Sequence, residues 1–434
     1  MKKLIALMFA VLFLGAGMAT ASDLTMTGSY YVRGTYEDQL QYNSAAPLND
    51  RSYAYYDHEL SVDTKWKMDD TTFVTARFEM RDANWATLNS ATEGGVPAQA
   101  DDNIVVEQVW GQTTFANGIS LKVGLMPAGA WGSDFGNTST EAYRIFATVP
   151  TQIGALIGIL ERPNGQNALG FWGENGSNAI GENNDTNIYH IAMVTKAGDV
   201  NIKPIVSYID ANNNNWAADA THILAQLSLD GKAGAIGWEA DFSFRDVDRL
   251  IPENAAVPNT MDYQIWGAYG NLWYQMQALK VGAFLAYGSW DEDSQQGYDF
   301  GDDFAPGSLL IMGDDLLGEG AGNIGNQPGA DGGMVGSTLF GIYGSYAVND
   351  KLTLRAVAAY ATADRDKATT VAVQKWDEAD VFELSAGFAY KITPSLTYDG
   401  GIGMAEVDFG NYMSNAQADP DTLVEAYHRL SFAF

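Results

Sequence analysis

Hydrophobic side chains recur at every second position in many segments of about ten residues, the length a membrane-crossing strand needs. Between residues 72 and 81, Val74, Ala76, Phe78 and Met80 fall on one face, and Thr75, Arg77, Glu79 and Arg81 on the other. Between 235 and 245, Ile236, Trp238, Ala240, Phe242 and Phe244 alternate with Gly237, Glu239, Asp241, Ser243 and Arg245. Between 381 and 391, Phe382, Leu384, Ala386, Phe388 and Tyr390 alternate with Glu383, Ser385, Gly387, Ala389 and Lys391. Successive side chains of a strand point to opposite faces, so one face suits an apolar medium and the other water. A half-buried strand of a soluble sandwich alternates in the same way. The connections have to discriminate.

Strands are expected near 24–36, 54–66, 71–82, 103–115, 119–126, 154–162, 168–174, 186–196, 200–209, 220–230, 233–245, 261–273, 277–290, 335–348, 351–363, 379–391, 395–407 and 422–434. Tight turns carry Gly, Asn, Asp or Pro, as at Met68-Asp69-Asp70, Asn117-Gly118, Pro163-Asn164-Gly165, Gly198-Asp199, Gly231-Lys232, Asn349-Asp350 and Thr393-Pro394. Every second connection is long: 37–53, 83–102, 127–153, 175–185, 210–219, 246–260, 291–334, 364–378 and 408–421. Short turns on one rim and long loops on the other are the plan of an outer-membrane barrel. The expected fold is all-β, a transmembrane antiparallel β-barrel of about eighteen strands with short periplasmic turns and long extracellular loops. Folding 154–162 and 168–174 into a loop gives the alternative of sixteen.

Composition agrees. Hydrophobic residues make up 46% of 434, yet no run beyond the N-terminus is long enough for a spanning helix. Cysteine is absent, which excludes disulfides, thiolate metal sites and C-x-x-C-H haem attachment. The formal net charge of −30 would repel a phosphate backbone, so no nucleic-acid partner is expected.

The first residues set the compartment. Lys2 and Lys3 precede an apolar stretch at 4–18, and Ala19-Thr20-Ala21 is a small-residue cleavage site. Residues 1–21 are therefore expected to be a cleavable signal peptide and 22–434 the barrel. Processing removes Lys2 and Lys3 and takes the charge to −32.

The chain closes on VEAYHRLSFAF (424–434), in which Val424, Ala426, Leu430, Phe432 and Phe434 share a face. A terminal Phe ending an alternating strand resembles the assembly signal of Gram-negative outer-membrane proteins, a role that would fall to Phe434. The opening DLTMTGSYYVRGTY (23–36) resembles the first strand of general porins. The whole mature chain is similar to porins, and most to those of Geobacter-type deltaproteobacteria. The resemblance implies a homotrimer in the cell outer membrane, bounded by membrane lipid and lipopolysaccharide. It also implies that the third long loop folds into the barrel.

That loop, 127–153, carries Trp131, Phe135, Tyr143, Ile145 and Phe146, apolar enough to pack inside, and a short helix is expected over 138–147. Its charged residues Asp134, Glu141 and Arg144 are candidates for a pore constriction. Strand parity places Arg33, Arg77, Glu79, Arg81, Lys122, Arg245, Arg355 and Arg429 on the pore wall, along with Glu59, Asp63, Lys65, Lys203, Glu239, Asp241, Glu383 and Lys391. Aromatics at Tyr30, Tyr31, Tyr36, Tyr53, Tyr55, Tyr56, Trp66, Trp266, Tyr269, Trp273, Tyr274, Tyr287, Trp290, Tyr343 and Tyr346 are expected at the headgroups. Loop 291–334 has ten Asp or Glu and no Lys or Arg, which reads as an acidic mouth that concentrates cations. No cofactor is expected beyond Ca²⁺ or Mg²⁺ held loosely at such loops, because the EF-hand spacing is missing.

Catalytic patterns are poor. His58, His190, His222 and His428 include no metal-binding pair, and Gly-x-Ser-x-Gly is absent. A barrel-wall lipase would need a Ser–His pair at matching depth. The expected function is a water-filled channel for passive diffusion of small hydrophilic solutes and ions, preferring cations. A substrate-specific channel, for a sugar for example, and a barrel that sheaths a partner's haem conduit are the alternatives.

Overall fold

The computed structural model describes residues 23–38, 52–84, 104–128, 131–136, 141–163, 186–211, 219–250, 262–312 apart from 293, 295, 302 and 303, 336–363, 379–408 and 422–434. The strands in chain order are β1 (Asp23–Asp38), β2 (Ser52–Lys67), β3 (Thr72–Asn84), β4 (Val105–Thr114), β5 (Ser120–Pro127), β6 (Glu141–Thr151) and β7 (Gly154–Pro163). Next come β8 (Thr186–Ala197), β9 (Val200–Ala211), β10 (Asp219–Ala233), β11 (Ile236–Leu250), β12 (Tyr263–Met276) and β13 (Leu279–Gly288). A two-residue hairpin, β14 (Trp290–Asp291) and β15 (Gln296–Gly297), follows. The chain ends with β16 (Ser337–Ala347), β17 (Leu352–Ala363), β18 (Asp380–Thr393), β19 (Leu396–Asp408) and β20 (Leu423–Ala433).

All but β14 and β15 belong to one eighteen-stranded antiparallel sheet. Each strand pairs with the next, and β20 pairs back with β1 from Ser29 opposite Ala433 to Asp38 opposite Val424. Phe434 extends this seam: its N–H donates to the Gly28 carbonyl at 3.1 Å, and the Gly28 N–H to its carbonyl at 2.9 Å. Closure leaves the eighteen-stranded sheet without a free edge, which a barrel in hydrocarbon requires.

The strand count is the one expected, but one strand is differently placed. Glu141–Thr151 is β6, not part of a loop, and residues 141–147 are extended where a helix was expected. Its alternation explains this: Tyr143, Ile145 and Val149 are exposed on the outer face, and Ala142 is buried on the inner one. The turn into β7 lacks an Asn-Gly or Asp-Gly signal. The Thr151 hydroxyl donates to the Gly154 carbonyl at 2.8 Å. Gly154 has a φ of 143°, and a Cβ there would stand 2.2 Å from the Val194 carbonyl oxygen. Pro163 closes β7, and the rest of the tight turn expected at Pro163-Asn164-Gly165 lies outside the described residues. The third long connection therefore shortens to 128–140. Residues 168–174 lie outside the described residues, as do 1–21.

The eight short connections include one at Asp69, whose Oδ1 accepts the Thr71 hydroxyl and N–H at 2.7 Å each and the Thr72 N–H at 2.8 Å. The Thr71 hydroxyl first, and then these N–H groups, hold the Asp69 carboxyl below the usual carboxylate range.

Outward positions are apolar and bare: Ile191 is 69% exposed and Ile342 66%. Apolar area costs about 25 cal/mol per Å² in water, so such a surface suits lipid. The expected aromatic girdle divides by parity. Tyr36, Tyr56, Trp266, Tyr274, Tyr287 and Tyr346 are exposed outside. Tyr269 and Tyr343 instead hydrogen-bond inside, to Glu239 and Asn271, while Trp273 and Tyr31 pack against lumenal cations. The side chain of Tyr53 lies outside the described residues.

Candidate functional site

Among the described residues, two connections turn into the barrel. The first is the third loop, described at 131–136. The Trp131 indole N–H donates to the Lys203 carbonyl on β9 at 2.9 Å. The Ser133 hydroxyl and N–H both donate to Asp241 on β11, the N–H at 3.3 Å. Phe135 stacks with Tyr269 and Tyr298 at ring distances of 5.7 and 5.3 Å. Trp131 rests on Ile157, Ile159, Ala192 and Ile205, inward residues of β7 to β9. This explains why 153–160 is apolar on both faces: one meets lipid and the other the loop.

The second is the segment 298–312, which sequence reading left in an acidic mouth. Phe300, Phe304, Ile311 and Met312 are all but fully buried. Glu383, itself 0% exposed, accepts the Leu310 N–H at 2.8 Å and the Met312 N–H at 2.7 Å. Ser385 donates to the same carboxylate. Burial pushes the Tyr298 phenol up to about 12, so it stays neutral. The loops join where the Gly136 N–H donates to the Phe300 carbonyl at 2.6 Å. A signal for this docking existed in the strands. Ala359, Ala361, Ala363, Val381, Ala405 and Val407 occupy the inward parity of β17 to β19, yet they are apolar and buried. A wall facing open water would carry polar groups there. Asp314, Asp315, Glu319 and Asp331 of the same connection lie outside the described residues.

The part of the wall formed by β19, β20, β1, β2 and β3 is studded with charge. Arg33 donates to Asp57 at 2.9 Å, Arg77 to Asp63 at 2.9 Å, and Arg429 to Asp399 at 3.2 and 3.1 Å. The side chains of Arg33, Arg77 and Arg429 remain 40, 38 and 40% exposed, so they face open lumen and not packed loop. Glu79 lies in register with Ser61 on β2. Arg81 is in β3, and its side chain lies outside the described residues.

The remaining candidates separate. Lys122 sits over the rings of Trp110 and Phe146 at 5.3 and 5.1 Å. Arg245 has a buried Nε that meets no acceptor among the described residues. Arg355 donates to the Tyr427 hydroxyl across Gly387 and Gly401. A Cβ on Gly387 would lie 2.7 Å from the Arg355 Nε, and one on Gly401 2.9 Å from the Tyr427 ring, so the glycines make room for this reach. Of the three loop candidates, Asp134 lines a lumenal cavity. Glu141 and Arg144 belong to β6 instead. Glu141 lies beside Glu107. Arg144 pairs with Glu161 at 2.6 Å and also donates to the carbonyls of Pro127 and Ala128 at 2.8 and 3.2 Å, at the root of the loop. Sequence reading missed Lys280, whose inward parity follows from exposed Val281, Leu285 and Tyr287.

His190 lies 2.7 Å from the Ser207 hydroxyl and 3.3 Å from Glu161, a Ser–His pair at matching depth. Ser207 is 1% exposed and Glu161 is held by Arg144, so the hydroxyl offers no surface to a substrate. His428, in β20, packs with Tyr56 and Tyr398 on the outer face.

This architecture, a closed eighteen-stranded antiparallel barrel, is the fold of outer-membrane porins of known structure. The Acinetobacter baumannii protein OccAB3 is similar over 94% of this chain and 99% of its own, with a TM-score of 0.56 and 11% identity. A BenF-like porin from Pseudomonas fluorescens Pf-5 matches over 94% and 98%, with a TM-score of 0.55 and 11% identity. Pseudomonas aeruginosa OccK2 (OpdF), solved in complex with glucuronate, matches over 95% and 98%, with a TM-score of 0.54 and 9% identity. No family model matches the sequence, and no curated protein does.

Proposed function

We propose that the chain forms a water-filled channel of the outer membrane through which small hydrophilic solutes and ions diffuse passively, with a preference for cations. The observation that carries this reading is the division of the lumen. One sector is filled by the docked segments 131–136 and 298–312, while the sector of β19 to β3 keeps ion-paired arginines about two-fifths exposed. A filled sector beside a charged, open one is a waist that sieves by size and steers by charge. The cation preference rests on the formal charge of −30, because at the waist the carboxylates of Asp134 and Glu239 share one cavity with the cations of Lys280 and Arg355.

The purified protein in planar bilayers should give discrete current steps, and a salt gradient should give a reversal potential of cation-selective sign. Absence of steps would remove the channel reading. An anion-selective sign would remove the preference alone.

A further inference from the structure

Lysine gathers at one end of the barrel wall. Among the described residues every lysine stands within four residues of a short connection. All but Lys351, which lies in the connection between β16 and β17, have the inward parity of their strands. The band runs round the wall from Lys65 on β2 through Lys122 on β5, Lys196 on β8, Lys232 on β10 and Lys280 on β13 to Lys391 on β18. Among the described residues none of these is in a salt bridge. Lys65 lies over the Phe73 ring at 4.0 Å, Lys122 over Trp110 and Phe146, and Lys280 over Trp273 and Tyr343. Such contacts hold an ammonium group without neutralising it.

Carboxylates are scarcer in the same band of the inner face. Asp230 is held by Lys203 at 2.9 Å and Asp399 by Arg429 at 3.1 Å, which leaves Glu239. Lys67 pairs with Asp70 at 2.8 Å. Asp23, Asp69, Asp199 and Asp350 are exposed at strand ends and in the connections, where water screens them. At the opposite end the inner face reverses sign. Glu37, Glu107, Glu141, Glu161, Glu383 and Glu425 stand within four residues of a long connection, and no described lysine does. Arg81, Arg144 and Arg249 share that end, and Arg144 is taken up by Glu161. Carboxylates are therefore in excess there.

A charged ring biases which ions a pore admits, and two rings of opposite sign act in series. We propose that this lumen is bipolar along its axis. A lysine ring admits anions at the short-turn mouth, a glutamate ring admits cations at the long-loop mouth, and the channel conducts better in one direction than in the other. The proposal rests on the channel reading. With the long-loop side positive, cations enter past the glutamates and anions past the lysines. Each then meets a ring of its own sign at the exit, so both accumulate and conductance rises. The opposite voltage makes each ion enter past its own sign, and the lumen is depleted.

Single barrels in planar bilayers test it. Current is read at both voltage signs in about 0.1 M and about 1 M potassium chloride, where charges act over about 10 and about 3 Å. The chain has no cysteine, so a biotin on Asp350→Cys marks the short-turn rim. Streptavidin should lower the current only from the chamber that this rim faces. At about 0.1 M the current should be about twofold larger with the long-loop side positive, and at about 1 M the two signs should be nearly equal. Replacing Lys122, Lys196 and Lys232 together with Met should bring the ratio close to one. Lys65→Glu alone should lower it, and both variants should still show the heat-modifiable folded band. Equal currents at about 0.1 M, or the larger current at the opposite sign, would overturn the bipolar lumen and leave the channel reading intact. So would an unchanged ratio in both variants. A folded barrel that passes no current overturns the channel reading, and the bipolar lumen with it.

Discussion

Ser133 gives both its hydroxyl and its backbone N–H to the carboxylate of Asp241, joining a loop to a strand 108 positions away in the chain. Hydrogen bonds to a charged acceptor are worth about 1.5–3 kcal/mol. Replacing Ser133 with Ala removes one of the two and leaves the barrel wall untouched. The loop tip should then leave the wall about tenfold more often. Single-channel recordings should show more current noise and a higher mean conductance; a trace identical to the parent would mean that the contact does not hold the waist.

Glu383 anchors the other inward segment through two backbone N–H groups at positions 310 and 312. Glu383→Ala leaves both donors unsatisfied in a buried site. The expected loss is about 2–4 kcal/mol, and it falls on the docked segment before the barrel. Thermal unfolding should begin at lower temperature and protease should cut within 298–312 sooner, with the strands themselves still protected.

The reach of Arg355 to Tyr427 keeps a cation flat against the wall over Gly387 and Gly401. Arg355→Gln removes one positive charge from the lumen and keeps the side chain's length. The reversal potential in a salt gradient should move further toward cation selectivity. An unchanged reversal potential would place this side chain away from the permeation path.

How much of this was legible in the sequence follows from one property of strands. Period two is local, so the alternation around Phe242 and around Phe382 assigned inside and outside without any structure. The strand at 141–151 was harder. Its turn at Thr151–Gly154 depends on one glycine and a threonine hydroxyl instead of a recognised turn pair. Docking of the loops was partly legible. Ile157 and Ile159 on β7, and Ala359 and Ala361 on β17, broke the polar parity of the inner face. Apolar residues at lumenal positions mean that something covers them. Which loop covers them depends on tertiary contacts far apart in the chain, such as Ser133 with Asp241. Glu383 looked like one more wall charge; only its zero exposure revealed a capping role.

Phe434 and Gly28 exchange two backbone hydrogen bonds where the last strand meets the first. Deleting Phe434 removes both and shortens the closing seam by one residue pair. Folding into lipid vesicles, followed by the heat-modifiable band, should slow more than the final stability falls, because the pairing of the last strand with the first joins the residues farthest apart in the chain. Equal folding rates for the full-length and shortened chains would show that the seam forms without its last pair.

Arg144 holds three partners with one guanidinium: the Glu161 carboxylate on β7 and the carbonyls of Pro127 and Ala128. It stands on β6, just past the loop, and so fixes where the loop leaves the wall. Lysine carries the same charge but cannot serve three acceptors in one plane. Arg144→Lys should therefore keep the pair with Glu161 and release the loop root. Conductance should rise as in Ser133→Ala, and combining the two should add less than their sum, since both act on one loop. Fully additive effects would show that the root and the tip of the loop move independently.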